Sequence, residues 1–435
     1  MKKTILTKMV MLAGLVIAFM SCNDIEQTNP NEAARWKIPS NIVGEYALAY
    51  RASQSSEIKS KSGENTNYTI CEIDSFVDKN DLTAMYVINF CNDNGWVILS
   101  ADYRMEPILA YNQEGSFGHG VIPAGLAIWI EGSVQLIEEI RDHDVTHPTA
   151  DIAWTVSLTD YGLDEDIPSR PDININGGLG PGELDPCLLG VISSTYTKGP
   201  LLNTTWGQGC TYNTNSDIDS CSSGGACNKM WTGCVATATS QIMQYWNEPQ
   251  ASFDFSIMSL NNGNAEVSKL MEDIGDEVNM NYTCNGSSSS SSDARQCLDN
   301  VYGYDNPKYD PYDLGTVISD VRNDKPVYLR GCHTQTTRGW WIFKWKVEED
   351  CHAWVCDGYR YSYRKCPNKP QVSWGKQLHM NWGWHEVDPT TLMPSVNMHD
   401  YNGWYSFGDW NPKDATQASN WTFQFANKMI HDIKR

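Results

Sequence analysis

Positive charge is what this sequence has least of. Its 435 residues include 32 Lys and Arg against 53 Asp and Glu, which gives a formal net charge of -21. Because nucleic-acid binding needs a basic surface to hold phosphates, this deficit argues against nucleic acid as a partner. Long apolar runs and internal repeats are also missing. No stretch reaches the roughly 18 residues that a membrane-spanning helix needs. Wholesale disorder is excluded by 17 Trp and 21 Tyr.

The N-terminus has the layout of a bacterial signal peptide. Three lysines precede an apolar run over residues 9–20, too short to span a bilayer but suited to a signal-peptide core. Cys22 follows a junction that resembles a lipobox, in which the cysteine becomes the lipidated first residue. We therefore predict a lipoprotein-type signal peptide at 1–21, lipidation of Cys22 and a polar tether at 22–42, with ordinary secretion as the alternative. The protein would be exported and would touch the membrane through its lipid anchor only.

Two globular regions with a linker between them are predicted for the rest of the chain. A hairpin pattern over residues 86–99 and an amphipathic helix pattern over 124–141 predict a small α+β domain at 43–150. The acidic segment 151–195 is rich in Gly and Pro and has no periodicity, which predicts an exposed linker that proteases can cut. A second globular domain is expected at 196–435.

The segment that begins at Gly233 has the pattern expected around a nucleophile. From Val235 on it is helix-compatible, small and apolar, and it ends before Pro249, which places Cys234 at a helix N-terminus. There the unpaired N–H groups and the helix dipole favour a thiolate. A buried or disulfide-bonded cysteine before a core helix is the alternative.

A nucleophilic cysteine needs a histidine partner, and His352 is the candidate. It opens an apolar run that ends in a turn signal and predicts a buried strand. A further strand holds Asn381 and Trp382. Cysteine, histidine and a distant polar residue follow one another in this order in papain-like enzymes. The alternative interpretation of His352 is a structural histidine in the core whose ring nitrogens are hydrogen-bonded.

These segments resemble the streptopain family, bacterial papain-like cysteine peptidases made with an inhibitory propeptide. The matching motifs are Gly-Cys-Val-Ala-Thr-Ala-Thr at 233–239, His-Ala-Trp-Val-Cys-Asp-Gly at 352–358 and Asn-Trp-Gly-Trp at 381–384. Residues 95–102 resemble part of the propeptide. The resemblance implies an α+β fold: a papain-like helical part plus an antiparallel sheet or barrel, preceded by a small α+β propeptide domain. It implies no cofactor and no metal.

The resemblance also implies roles for single residues in an exported zymogen endopeptidase that its own propeptide inhibits. Cys234 would attack peptide bonds in protein or peptide substrates, and His352 would hold it as a thiolate–imidazolium pair. Gln208 would help to bind the oxyanion. Trp382 would cover the imidazole, with Asn381 beside it.

Two departures from the family pattern border the expected cleft. Cys351 stands where glycine usually precedes the catalytic histidine, and His385-Glu386 replaces glycines. They motivate an alternative function, a catalytically weak or inactive surface binding protein or adhesin on a peptidase fold. The remaining alternative is a zinc site of Cys351, His352, Cys356 and Cys366, whose spacing lacks the Cys-x-x-Cys pairs of structural zinc sites.

Fourteen cysteines suit an oxidising compartment only if most of them are paired. With Cys22 and Cys234 assigned, an even number remains. We expect disulfides to brace the cleft walls, formed among seven cysteines near the two catalytic segments: Cys210, Cys221, Cys227, Cys332, Cys351, Cys356 and Cys366.

Overall fold

The fold is taken from a computed structural model that describes most of the chain. The described residues are 36–56, 68–118, 122–161, 193–214, 221, 225–340, 343–364, 371–385, 401–406 and 428–435. The predicted signal peptide, Cys22, Cys366 and Glu386 lie outside them, as do most of the predicted tether and linker. None of the helices in these ranges combines the length and the apolar character needed to cross a membrane.

Seven α-helices and eleven strands are present among these residues. The helices are α1 Ser40–Ser56, α2 Ala124–Asp142, α3 Ala150–Tyr161, α4 Cys234–Trp246, α5 Ala265–Glu277, α6 Ser291–Gln296 and α7 Leu314–Arg322. The strands are β1 Ile70–Val77, β2 Thr83–Phe90, β3 Trp96–Ser100, β4 Ile108–Asn112, β5 Ser193–Lys198, β6 Lys308–Pro311, β7 Val327–Trp340, β8 Phe343–Arg364, β9 Val372–Asn381, β10 Gly403–Ser406 and β11 Lys428–His431. Short 3-10 and π-helical segments occupy Phe255–Ile257 and Cys297–Val301.

One antiparallel sheet runs through both predicted domains. Its strand order is β1-β2-β3-β4-β10-β9-β8-β7-β11-β6, and β5 pairs with β8 off this path. The two domains join where β4 pairs with β10, with Tyr111 opposite Trp404 and Ala110 opposite Tyr405. The hairpin expected at 86–99 is confirmed as the β2–β3 pair. A shared sheet means that the N-terminal domain docks through main-chain hydrogen bonds as well as through side chains.

Two large cores lie against this sheet. The first, here the imidazole-side core, combines Leu126 and Trp129 of α2 with Trp354 of β8 and with Trp382. The second, here the nucleophile-side core, is built from residues 202–433 and includes the buried face of α4. A third cluster packs α1 and α3 on the N-terminal strands. The amphipathic helix expected at 124–141 is confirmed as α2.

Helices extend past both predicted borders of the N-terminal domain, 43 and 150. Helix α1 begins within the predicted tether, and Ile42 is buried. Helix α3 occupies the start of the predicted linker, because Trp154 is buried and its ring packs 5.2 Å from that of Tyr46. The indole N–H of Trp154 also donates to the carbonyl of Met105, 2.7 Å away. Tertiary burial of one aromatic residue thus orders a segment whose composition predicts a linker. At the other end of that segment, β5 begins at Ser193, three residues before the predicted start of the second domain at 196.

Candidate active site

Helix α4 begins at Cys234, as the sequence predicts. The preceding Gly233 has φ +91°, a conformation that favours glycine, and a Cβ there would lie 2.8 Å from the Met280 sulfur. From Val235 to Met243 every residue of the helix is buried. This burial fixes the helix, while Cys234 at its N-terminus is half-buried. The nucleophile candidate is therefore held rigidly at the start of the helix.

Cys234 and His352 are hydrogen-bonded to each other. Burial by itself would raise the pKa of the Cys234 thiol, but the hydrogen bond and the positive charge of His352 outweigh it and lower that pKa. The same bond and the thiolate charge raise the pKa of His352, although burial opposes its protonation. The opposite shifts favour a thiolate–imidazolium pair.

The second ring nitrogen of His352 is fixed by a backbone carbonyl. Its Nε2 lies 2.9 Å from the carbonyl oxygen of Trp382 and donates to it. The imidazole is stacked on the Trp354 ring at 6.2 Å, and the Trp384 ring meets it edge-on at 6.2 Å. Trp382 itself packs against Trp354 with ring centroids 5.1 Å apart. The imidazole is thus held from several sides, and Trp382 orients it through its main chain.

Asn381 bonds to a residue that the sequence interpretation did not single out. Its amide pairs with that of Gln241 on α4 and donates to the carbonyl of Thr204, 2.6 Å away. The sequence interpretation placed Asn381 beside the imidazole, whereas its bonds lead to the nucleophile helix. A glutamine in a helix of small apolar residues is the only sequence signal that could have pointed to this contact.

Gln208 lies between the two halves of the site. It is buried, and its Nε2 donates to the carbonyl of Gly383 at 3.3 Å. Its own carbonyl accepts from the backbone N–H of Thr232 at 3.0 Å, two residues before Cys234. Gln208 is therefore anchored both to the turn that leads into α4 and to the loop that carries Trp382.

Cys351, the first departure from the family pattern, is bonded to Cys332 across β7 and β8. This disulfide removes one ligand from the alternative zinc site. The expectation of a bridge at Cys356 is wrong, since its thiol is free and buried. Burial raises the pKa of that thiol, which leaves it unreactive.

Two disulfides brace the nucleophile side, as expected. Cys210 is bonded to Cys227, and Cys221 is bonded to Cys284, which the sequence interpretation had not included. A disulfide between Cys71 and Cys91 ties the N-terminal strands together.

His385, the second departure, lies where the two sides of the site meet. Its main chain packs on Gly207, where an added Cβ would lie 2.2 Å from the His385 carbonyl oxygen. Burial lowers the pKa of His385 to about 4. The ring is therefore neutral over most of the pH range in which proteins work.

Helix α2 of the N-terminal domain covers the imidazole. A Cβ at Gly125, in its first turn, would lie 3.1 Å from His352 Cδ2, 2.9 Å from the Trp382 ring and 3.0 Å from the Trp354 ring. Further along the helix, the Trp129 indole donates to the carbonyl of Ser406 at 2.9 Å. This close approach places the backbone of the N-terminal domain directly on the candidate catalytic group.

A cysteine at a helix start, a histidine on an antiparallel sheet and a covering N-terminal domain define a papain-like cysteine peptidase with an inhibitory prodomain. The chain is a streptopain-like cysteine peptidase with a propeptide. The model of the Peptidase C10 family matches residues 206–261 and 253–388. The model of the Spi protease inhibitor matches residues 45–137, within the N-terminal domain.

Similar proteins cover much of the chain. Streptopain of Streptococcus pyogenes serotype M28 is 24% identical in an alignment 379 residues long, which covers 74% of this chain and 79% of that protein. The thiol protease/hemagglutinin PrtT of Porphyromonas gingivalis is 22% identical in an alignment 343 residues long, which covers 69% of this chain but 32% of that larger protein. A mutant fragment of prointerpain A from Prevotella intermedia has the same fold, with a TM-score of 0.51 and 18% identity over 85% of this chain and 99% of the fragment.

Proposed function

We propose that this peptidase is an exported zymogen endopeptidase in which Cys234 is the nucleophile and His352 its proton carrier. The hydrogen bond between these two groups at the start of α4, with their opposite pKa shifts, is the observation that carries the proposal. A thiolate is the reactive form of cysteine, and the pair supplies it without an external base.

The residues of the site suggest a role in each chemical step. The Cys234 thiolate attacks the carbonyl carbon of the peptide bond, and the developing oxyanion needs donors, for which the Gln208 side chain and the Cys234 backbone N–H are the candidates. The His352 imidazolium then gives its proton to the leaving amine, and the C–N bond breaks. Water, deprotonated by the now neutral imidazole, attacks the thioester and releases the acid and the thiolate. The Trp382 carbonyl accepts from Nε2 of His352 throughout.

The prodomain would inhibit by occupying the imidazole side of the cleft. Backbone of α2 fills the space in front of His352 with no side chain at Gly125, so a substrate cannot bind there. Activation then requires a cut between α3, which ends at Tyr161, and β5, which begins at Ser193. We assign the activation linker to this interval.

Export and lipidation rest on the sequence of residues 1–22. Mass spectrometry of the membrane-associated protein should find an N-terminal lipid on Cys22. A Cys22→Ala variant should still be exported but should lose the lipid. A wild-type N-terminus without lipid would favour ordinary secretion.

Selective alkylation tests the catalytic pair. At pH 6 to 7, iodoacetamide should modify Cys234 of the matured protein well before Cys297, because burial raises the pKa of Cys297 to about 12. Cys234→Ala should abolish peptide hydrolysis and leave the precursor uncut in isolation. If Cys234 alkylates no faster than Cys297, the inactive binding protein becomes the better interpretation.

A further inference from the structure

A reciprocal pair of buried amides joins the nucleophile side of the site to the imidazole side. Gln241 of α4 is fully buried, and Asn381, the last residue of β9, is 3% exposed. Gln241 Nε2 donates to Asn381 Oδ1 at 3.2 Å, and Asn381 Nδ2 donates to Gln241 Oε1 at 3.0 Å. Each amide therefore donates to the other and accepts from it, which fixes one relative orientation of α4 and β9.

The same pair holds the segment that leads to Gln208. Gln241 Oε1 also accepts from the backbone N–H of Trp206 at 3.1 Å and from Thr204 Oγ1 at 3.1 Å. Asn381 Nδ2 donates in addition to the Thr204 carbonyl at 2.6 Å. Only Gly207 separates Trp206 from Gln208, so the position of Gln208, the candidate oxyanion donor, depends on these bonds.

On the imidazole side of the site, Asn381 also fixes the turn that contains the Trp382 carbonyl, which orients the imidazole. Asn381 Oδ1 accepts from the backbone N–H of Gly383 at 3.2 Å, closing a tight turn around Trp382. The carbonyl of Trp382 is the acceptor for His352, and that of Gly383 is the acceptor for Gln208. The acceptors for both side chains are thus set within one turn.

The nucleophile connects to this network through its own helix. Gln241 follows Cys234 by about two helical turns on a helix whose inner residues are buried. Gly383 packs on the same helix, since a Cβ there would lie 3.1 Å from Thr237 Cγ2. Packing alone could have been provided by an apolar side chain. A glutamine at this position instead makes four hydrogen bonds to three residues in two other segments of the site.

We propose that Gln241 is a positioning residue for peptide hydrolysis, which acts through Asn381 to set the imidazole of His352 and the amide of Gln208 relative to Cys234. The inference rests on the proposed function of Cys234 and His352. Loss of the Gln241 amide should separate the thiol from the imidazole while leaving the substrate cleft in place. A misplacement of about 1 Å in such a geometry can cost about 100-fold in activity.

The test uses full-length protein that is allowed to mature, with Gln241→Met as the variant because methionine keeps the length of the side chain without its hydrogen bonds. We expect kcat/KM on a peptide substrate to fall about 10- to 100-fold, mostly through kcat. The acid limb of the pH profile for iodoacetamide alkylation of Cys234 should move to higher pH, because a displaced imidazolium stabilises the thiolate less. Asn381→Leu should act in the same way, and the double variant should lose no more than either single one.

Ile242→Val is the matched control, since Ile242 is the adjacent residue of the same helix and is equally buried. It should lower the melting temperature without moving the alkylation profile. Thr204→Val removes one donor to Gln241 and should shift the profile less, in the same direction. If Gln241→Met does not fold, an unshifted profile in Thr204→Val overturns the proposal, as does a wild-type profile in a folded Gln241→Met. A wild-type protein that neither alkylates at Cys234 nor cleaves peptides would overturn the proposed function itself.

Discussion

The two sides of the proposed active site are buried by different parts of the chain. The nucleophile-side core draws its buried members from residues 202–433, all in the catalytic domain. The imidazole-side core mixes residues 84–140 of the prodomain with residues 312–429 of the catalytic domain. Cys234 therefore sits on a structure that the catalytic domain completes alone, whereas His352 sits on one that the prodomain helps to complete.

This difference shows how inhibition and folding are linked. The prodomain supplies β4, which pairs with β10, and α2, which covers His352. It also supplies the carboxylate of Glu106, which accepts from the backbone N–H of Gly375 in β9 at 3.1 Å. All of these contacts fall on the imidazole side. In the proposed activation, a cut in the linker would release the imidazole from its cover and would also expose an apolar face. The nucleophile side is braced by its own disulfides and should change little.

Removal of the disulfide between Cys221 and Cys284 should have the largest effect on stability. Its sequence separation of 63 residues is the largest among the disulfides described, and closing such a loop is worth about 4 kcal/mol. Because the nucleophile-side core needs no prodomain, Cys221→Ala/Cys284→Ala should destabilise precursor and mature forms equally. Thermal melts in a Cys234→Ala background measure this without self-digestion.

The matched control is the prodomain disulfide between Cys71 and Cys91, separated by 20 residues. Its removal should affect the precursor and leave the mature form as it was. If the Cys221→Ala/Cys284→Ala substitutions destabilise the precursor less than the mature form, the prodomain stabilises the nucleophile side. The two sides would then not be independent.

Gly125→Leu should break the contact between the prodomain and the imidazole. The added side chain would enter space already filled by His352 and Trp382, and such overpacking costs about 1–3 kcal/mol. Leucine is a better helix former than glycine, so the helix itself should not suffer. We expect the precursor to mature about 10-fold faster or more, measured by gel at a fixed concentration.

Gln135→Leu is the control, because Gln135 is exposed on the same helix. It should mature at the wild-type rate. If Gly125→Leu also matures at that rate, the covering helix does not limit activation.

Arg360→Met should weaken the same interface from the sheet face. The guanidinium donates to the Tyr50 hydroxyl at 2.7 Å, and its carbon lies 5.0 Å from the centroids of both the Tyr111 and Trp404 rings. A cation–π contact and a charged hydrogen bond together are worth about 1–2 kcal/mol here. Maturation should therefore become roughly 5- to 10-fold faster, while kcat/KM of the mature enzyme stays within about twofold.

The catalytic domain offers a matched control in Arg322. Its guanidinium lies over the rings of Tyr196 and Tyr359, 5.8 Å and 5.2 Å from their centroids, without involving the prodomain. Arg322→Met should leave maturation unchanged. Equal acceleration in both variants would point to general destabilisation instead of a weakened interface.

Local sequence patterns predicted the parts of this site that depend on local structure. Gly233 followed by small apolar residues is enough to predict a helix that starts at Cys234, and the apolar run after His352 is enough to predict its strand. The pairing of Gln241 with Asn381 joins residues 140 positions apart. No periodicity reveals such a contact, because it depends on how the helix and the sheet pack.

The same limit applies to the domain borders. The segment after Ala150 has a composition that predicts a linker, yet Trp154 finds a partner in Tyr46 more than a hundred residues earlier. The pairing of β4 with β10 is likewise a tertiary event. Resemblance to a family supplied the existence of a propeptide, but the shared sheet was visible only in the structure.

The smallest predicted effect concerns His385, where the two sides of the site touch. Burial lowers its pKa in the folded protein to about 4 from the ordinary value of 6.5. Near pH 6.5 the unfolded chain therefore binds a proton at His385 that the folded chain does not bind. The free energy of unfolding falls as the pH drops from 6.5 towards 4. Between pH 6.5 and 5.5 the loss from this one group is about 1 kcal/mol. His385→Asn should remove that part of the slope, measured as the difference in unfolding free energy from wild type in a Cys234→Ala background. If the two stability curves run parallel over this interval, His385 is protonated in the folded protein, and the contact with Gly207 does not exclude charge.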